Sequence, residues 1–426
     1  MLAAITWAGL PAVRNLLTPA SERYRQEGDL FLTDGRVAEA VLSYRQAVEL
    51  DGNNQEALRA LAAAYSQQGR QRMAGRYLAR LSENQIGSAA IPAEGMPHNA
   101  PGLADLAWVV EITQATPTGG LIQGGVFVSA FEDGAVAAQK IETGELIWIV
   151  RFDGAITSAP ASDGVFVWVG SSDGHLNSLS IIDGASGWSF QTGGPIYAAA
   201  AVDDTRVYCP SSDGSLYALE KANGTLVWKF STPGGLHGTP ELADGVLYFG
   251  SMDGKVYAVE AASGAPIWKD GILTGGPVES QPLLYQERLF FGASDGRVYS
   301  LDPKTGGQYW RGSTPDAVYT RPVAVEDEIY VASSGRELLA FDRESGEKLW
   351  STKTSAPLRN PPAALDNLFF LTGDGSPFLA VYERDTGKQL AEISTGDWVS
   401  SGPWLKDGFL LMLGRDGAGI AYRLVR

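Results

Sequence analysis

Six tryptophans, Trp148, Trp188, Trp228, Trp268, Trp310 and Trp350, follow one another at intervals of 40, 40, 40, 42 and 40 residues. Each stands four residues after a glycine: Gly144, Gly184, Gly224, Gly264, Gly306 and Gly346. Trp108 lies 40 residues before Trp148, and a further copy after Gly387 has Ala391 in the tryptophan place. No helical or strand period produces such an interval, so the chain repeats a whole structural unit. Between tryptophans come short alternating runs such as VFVWVG, RVYCP, VLYFG and RLFFG, bounded by Gly, Asp and Asn. These read as strands. An Asp-Gly pair separates the second and third run in seven of eight copies, at Asp133, Asp173, Asp213, Asp253, Asp295, Asp374 and Asp416, with Ser334-Gly335 as the exception. Asp-Gly favours a two-residue hairpin turn because glycine tolerates positive φ. A proline marks the inner run in six copies: Pro160, Pro240, Pro282, Pro322, Pro362 and Pro403.

Four short strands per repeat is the size of a propeller blade. Eight hairpins can be counted. The last, GFLLML to GIAYRL, has no tryptophan run after it, and the first tryptophan run, around LAWVV, has no hairpin before it. Together they complete one blade, so residues 105–112 are expected to pair with the C-terminal hairpin and close the ring, leaving no free edge at the seam. The expected fold is mainly β: an eight-bladed β-propeller of four-stranded antiparallel blades over 105–426. The runs YALEKANGTLVW, YAVEAASGAPIW and YSLDPKTGGQYW resemble the quinoprotein-type propeller, built from pyrroloquinoline-quinone-like repeats. That resemblance implies that Trp108, Trp148, Trp188, Trp228, Trp268, Trp310 and Trp350 dock between adjacent blades. The Gly-His and Trp-Asp marks of the WD40 class are missing.

Residues 20–86 have a different period. Tyr24, Gly28, Phe31, Gly35, Ala40, Tyr44 and Ala47 align with Leu58, Ala62, Tyr65, Gly69, Ala74, Leu78 and Leu81 at a spacing of 34. Four amphipathic helices in two copies resemble the tetratricopeptide repeat, a small all-α helical-hairpin domain that commonly binds peptides or helices. Small residues at Gly28, Ala62, Ala40 and Ala74 allow close helix approach, and Gly35 and Gly69 sit at turns. Residues 87–104, rich in Pro and Gly, read as a linker. Residues 1–19 begin with the apolar run MLAAITWAGLPAV, too short to span a bilayer and without a basic n-region. It reads either as the remnant of an export signal or as a segment docking on the first helices.

With 49 acidic against 33 basic residues the net charge is −16. Phosphate backbones repel such a chain, which excludes general nucleic-acid binding. Cys209 is the one cysteine, so a disulfide framework and a cysteine zinc site are excluded. His98, His175 and His237 show no metal-ligand spacing. No P-loop, no Gly-x-Ser-x-Gly and no Asp-x-Asp-x-Asp-Gly calcium loop occurs. Asn223-Gly224-Thr225 fits both a glycosylation sequon and a turn, and the turn is preferred.

The repeats differ most at one place, three residues before the inner proline. There stand Thr157, Tyr197, His237, Glu279, Tyr319, Arg359 and Ser400, with Thr118 as first member, each after an apolar residue. Trp398 and Trp404 break the pattern nearby and are expected to be exposed. A constant scaffold with one variable polar-aromatic ring reads as a recognition rim, since Tyr and Arg are favoured interface anchors. Non-enzymatic members of the resembled family include the propeller subunit of the outer-membrane β-barrel assembly machinery, which this chain is similar to in blade count and lack of insertions. The resemblance implies a scaffold for other proteins of an envelope complex, periplasmic or otherwise extracytoplasmic, reaching the membrane through partners, with no catalytic residues, no cofactor, no metal and no obligate small-molecule ligand. The alternative it implies is a quinone-dependent dehydrogenase or small-ligand-binding propeller, whose cofactor-covering insertions find no room in a 40-residue spacing.

Overall fold

The computed structural model describes residues 19–68, 74–75, 77–78, 81 and 104–424. They fall into two compact units divided at residues 95 and 96. In the larger unit, six four-stranded antiparallel sheets follow one another in sequence, from Pro117–Arg151 (blade 1) to Val323–Lys353 (blade 6). The remaining sheet has seven strands because one 18-residue strand, Gln389–Lys406, serves two blades. Its first part pairs with Ser376–Glu383 as the outer strand of blade 7, and its second with Phe409–Gly414 as the inner strand of blade 8. Ala104–Glu111 pairs with Ala418–Leu424 to complete blade 8, in the register Trp108↔Ala421 and Glu111↔Ala418. The result is an eight-bladed propeller.

Eight apolar clusters form the core of this unit among the described residues, and each joins two adjacent blades. The cluster between blades 8 and 1 contains Trp108, Phe127 and Leu411; that between blades 1 and 2 contains Val128, Trp148 and Val167. A four-stranded sheet cannot bury both faces alone, so each blade takes its neighbours as cover. The tryptophans carry the joint. The indole N–H of Trp108, Trp148, Trp188, Trp228 and Trp310 donates to the carbonyl 33 residues later, at 2.8–3.0 Å. The conserved spacing of glycine has a steric cause: Gly184 lies at φ +72°, and a Cβ there would stand 2.9 Å from the Trp148 ring.

Three sequence expectations need correction. Six of the seven Asp-Gly turns are not two-residue loops; at the seventh, Ser376 N–H bonds to the Gly373 carbonyl (3.0 Å) across Asp374 and Gly375. In the six, glycine N–H bonds back three residues, as in Gly174 to Ser171 and Gly214 to Ser211 (both 3.1 Å), and glycine takes positive φ. This is a three-residue loop ending in a glycine bulge. In the exceptional copy, Arg336 takes the left-handed position at φ +61°. Five of the six prolines stand immediately before the inner strands, whose first residues are Ala161, Glu241, Leu283, Val323 and Ala363. A residue without N–H cannot join the ladder. The outer strand of blade 4 is broken: Trp268 lies outside the two-residue strand Ile272–Leu273, with Pro266 before it and the two extra residues of this repeat after it. Trp268 stays buried, but its indole N–H, like that of Trp350, finds no acceptor.

In the smaller unit, helices span Ala20–Thr33, Val37–Leu50 and Gln55–Gln67. A Cβ on Gly28 would sit 2.5 Å from the Tyr44 ring, so this glycine lets the first two helices touch. Tyr44 donates to Asp29 Oδ1 at 2.8 Å across the same contact. Asn54 caps the third helix by accepting from Ala57 N–H at 3.0 Å. Ala74 and Leu81, expected on a fourth helix, are helical and buried. Gly69 and most of the 1–19 segment and the 87–104 linker lie outside the described residues, as does His98.

Candidate functional site

The variable residues stand one per blade, and each inner loop touches the next blade's loop; two pairs of variable side chains meet, Tyr197 with His237 and Tyr319 with Arg359. The Thr118 hydroxyl donates to the Ser158 carbonyl (3.3 Å) and the Thr157 hydroxyl to the Ile196 carbonyl (2.6 Å). The rings of Tyr197 and His237 meet edge to face at 5.3 Å. A Cβ on Gly238 would lie 2.6 Å from the Glu279 carbonyl oxygen. The Arg359 guanidinium lies 5.7 Å from the centre of the Tyr319 ring, and the Asn360 amide donates to the Ser400 carbonyl (3.3 Å). Contacts 39 to 41 residues apart arise only where each blade meets the next near the propeller axis.

The strand register corrects one member. Leu121 pairs with Val128 as Ala161 pairs with Trp168, which puts Thr118 in the place of Ser158 and Pro117 in that of Thr157. Exposure divides the rest. Tyr197 and Arg359 are exposed, and Thr157, His237, Glu279, Tyr319 and Ser400 are half-buried. Ser400 turns its hydroxyl inward, where it is buried without a partner. Trp398 is 49% exposed, with Arg415 5.9 Å from its ring. Trp404, expected to be exposed, is half-buried against Phe127 at 5.3 Å, because its blade position is that of the inner-strand core residues.

The Asp-Gly turns flank this rim. Ser172 N–H donates to Ala155 O, Ser212 to Pro195 O, Met252 to Gly235 O and Asp374 to Pro357 O, all at 2.8–2.9 Å. Each turn is thereby pinned to the loop that presents a rim residue. The aspartates serve the turn: Oδ1 of Asp133, Asp173, Asp213 and Asp253 accepts the N–H two residues on. Tyr217, Tyr257 and Tyr299 donate to Asp213, Asp253 and Asp295. Burial alone raises the Asp213 carboxyl, but the Tyr217 and Ser215 hydroxyls, the Ser215 N–H and the Lys229 ammonium together hold it below the usual carboxylate range. Arg359 Nε lies 3.3 Å from Asp374 Oδ2.

One constellation escaped the sequence reading. Arg321 Nη2 donates to both oxygens of Glu241 (2.8 and 2.9 Å), and Gln281 Nε2 donates to the same carboxylate at 3.2 Å. These residues come from blades 4, 5 and 6, spaced by 40 residues each; Glu241 opens the inner strand of blade 4, and Gln281 and Arg321 stand two residues before the inner strands of blades 5 and 6, so the group joins three blades. The available signal was Glu241 itself, the one charged residue at a position where the other blades hold Leu, Ala, Val or Trp. A calcium-and-quinone site needs several free side-chain oxygens converging at this level. Here the carboxylate is engaged by Arg321; Leu121, Ala161 and Ala201 stand at its position in blades 1 to 3, and Gly119, Ala159 and Ala199 at the position of Gln281 and Arg321. The residues present do not fit that group. Among the described residues no cluster of three His, Cys, Asp or Glu side chains is placed to hold a metal, and no helix is long and apolar enough to cross a membrane.

A family model described as outer membrane protein assembly factor BamB matches residues 103–199, 193–317, 252–397 and 340–423. A second, described as TPR repeat, matches residues 28–69. No curated protein matches the chain in sequence. Among solved structures, BamB from Moraxella catarrhalis is similar with a TM-score of 0.67 at 18% identity, over 75% of this chain and 100% of that one. The computationally designed Ika8 protein gives 0.65 at 18% identity, over 73% and 96%. The quinohemoprotein alcohol dehydrogenase ADHIIG from Pseudomonas putida HK5 gives 0.67 at 15%, over 81% and 79%. At these identities the structural likeness speaks for the fold, which hosts both kinds of protein.

Proposed function

The chain belongs to the family described as outer membrane protein assembly factor BamB, and from that premise we propose that it is a non-enzymatic scaffold of a cell-envelope complex. It works in the periplasm or another extracytoplasmic space and meets the membrane through its partners. The observation that carries this reading is the rim: a varied polar or aromatic side chain at one place on successive blades, with Tyr197 packed on His237 and Arg359 beside Tyr319 across blade boundaries. Blade-to-blade packing fixes these positions, so little conformational freedom is lost when a partner docks. Tyr197, His237, Tyr319, Arg359 and Trp398 supply the large anchors, with Thr157, Glu279 and Ser400 between them. The helical unit adds a second protein-binding architecture.

A pull-down from native membranes tests the reading. Envelope proteins are expected to co-purify with the wild-type chain and to be depleted at least about tenfold by Tyr319→Ala with Arg359→Ala, the range for loss of interface anchors. Retention of every partner by that variant would remove the rim from the proposal. A quinone-dependent dehydrogenase is the second reading, favoured by the likeness to the quinohemoprotein enzyme. Turnover of an alcohol after addition of pyrroloquinoline quinone and calcium would establish it against the scaffold.

A further inference from the structure

Among the described residues, the outer strand of every blade has one edge with no strand beside it. Such edges pair with other chains unless charge or irregularity blocks them. Most are blocked. Lys229 and Arg311 stand in the middle of the outer strands of blades 3 and 5 and Glu392 within that of blade 7, and the blade 6 strand is charged at both ends, by Lys348 and Lys353, whereas the blade 1 strand carries one charge, Arg151 at its end. Blade 2 offers the polar run SGWSFQ, and blade 4 is broken. Blade 1 differs. Its outer strand, Leu146–Arg151, reads LIWIVR, with Leu146, Ile147 and Ile149 exposed at 46%, 38% and 37%. The bulge at Ile147, between the pairs Ala138↔Trp148 and Gln139↔Leu146, turns two successive apolar side chains outward. The patch continues onto blade 2. Trp148 bonds to the Ile181 carbonyl, and next to it Ile182 is 78% exposed and Val165 57% exposed.

We propose that this edge is a self-association surface, and that its occupant is the same edge of a second copy, antiparallel about Trp148. A two-fold pairing is self-complementary by necessity. Centred on Trp148, it sets Ile147 against Ile149, Leu146 against Val150 and Glu145 against Arg151, so apolar meets apolar and the flanking charges are opposite. Both flanking side chains are more than half exposed, although each already holds an ion pair within its own blade, Glu145 with Lys140 and Arg151 with Asp133. The closing strand Ala104–Glu111 holds a similar run, LAWVV. The same operation there opposes Asp105 to Glu111, two like charges, which disfavours it. Charge thus selects the blade 1 edge. This inference stands apart from the rim reading, since the outer strand and the rim residues belong to different surfaces of the blade.

Sedimentation velocity of the full chain over roughly 1–100 µM tests it. A monomer–dimer equilibrium is expected. Ile147→Lys, and separately Glu145→Arg, should weaken it about tenfold or more. The double variant Glu145→Arg with Arg151→Glu restores the opposite-charge pairing and should recover dimerisation, a rescue that a folding defect would not give. A chain that stays monomeric throughout overturns the proposal. So does a dimer that none of these substitutions weakens, or one that Glu145→Arg weakens and the charge swap does not restore.

Discussion

Single residues in this propeller do two jobs at once, and the Gly-Trp pair shows how. The glycine takes a left-handed conformation that any Cβ strains, and it vacates the space that the preceding blade's indole fills. Gly184→Ala therefore combines backbone strain with a 2.9 Å contact on Trp148. A loss of about 2–4 kcal/mol in unfolding free energy is expected, read as a shift of the denaturant midpoint. Cys209 illustrates the opposite case, a reactive group made inert. It is fully buried, and burial, with the nearby Asp213 charge, pushes its thiol well above the usual range. A thiol reagent should label it in the native chain only as fast as the chain unfolds, and at once in denaturant. Both the glycine spacing and the thiol's solitude were plain in the sequence. The identity of the indole's acceptor was not, because that carbonyl belongs to the next blade.

At the level of elements, the strand that closes the ring carries the most distant contact in the molecule. Trp108 is buried between blades 8 and 1, bonded to the Ile141 carbonyl and opposite Ala421 in the ladder. Replacing it with alanine is expected to cost about 3–5 kcal/mol. Protease cleavage within Ala104–Glu111 should rise more than cleavage in blades 3 to 6, since this strand alone joins the two ends of the propeller. The unmatched halves of one blade made this closure foreseeable. The turns were less legible: Asp-Gly indicates where a hairpin reverses, but loop length follows from register, which the facing strand sets. The inner strands were likewise read as too long, because proline marks their start and not their middle. The missed Arg321–Glu241–Gln281 group joins residues 40 apart in turn, and no local pattern connects them.

Over the whole molecule, acidity and repetition act together. Asp133, Asp163, Asp173, Asp203 and Asp213 all have carboxyls held below the usual range. At Asp173 the Ser171 hydroxyl leads; at the others burial opposes the shift, and hydroxyl, backbone N–H or cationic partners outweigh it. A carboxylate with a lower pKa folded than unfolded adds stability above its unfolded value, and this is lost as pH falls through the folded one. Thermal stability should accordingly be flat with respect to these groups from neutral pH down to about 5 and fall steeply below about 4, measured as melting temperature against pH. The sequence by itself determined the repeat, the number of blades, the closing segment and the absence of covering insertions. These follow from local periodicity, which each unit of about 40 residues repeats independently. Only the tertiary structure decided which variable residues face outward, that Trp404 packs half-buried against the core while Trp398 is exposed, and that Arg321 reaches Glu241 two blades away. Those facts depend on how eight twisted sheets converge on one axis and on which face each pleat turns to its neighbour, a geometry that no single repeat contains.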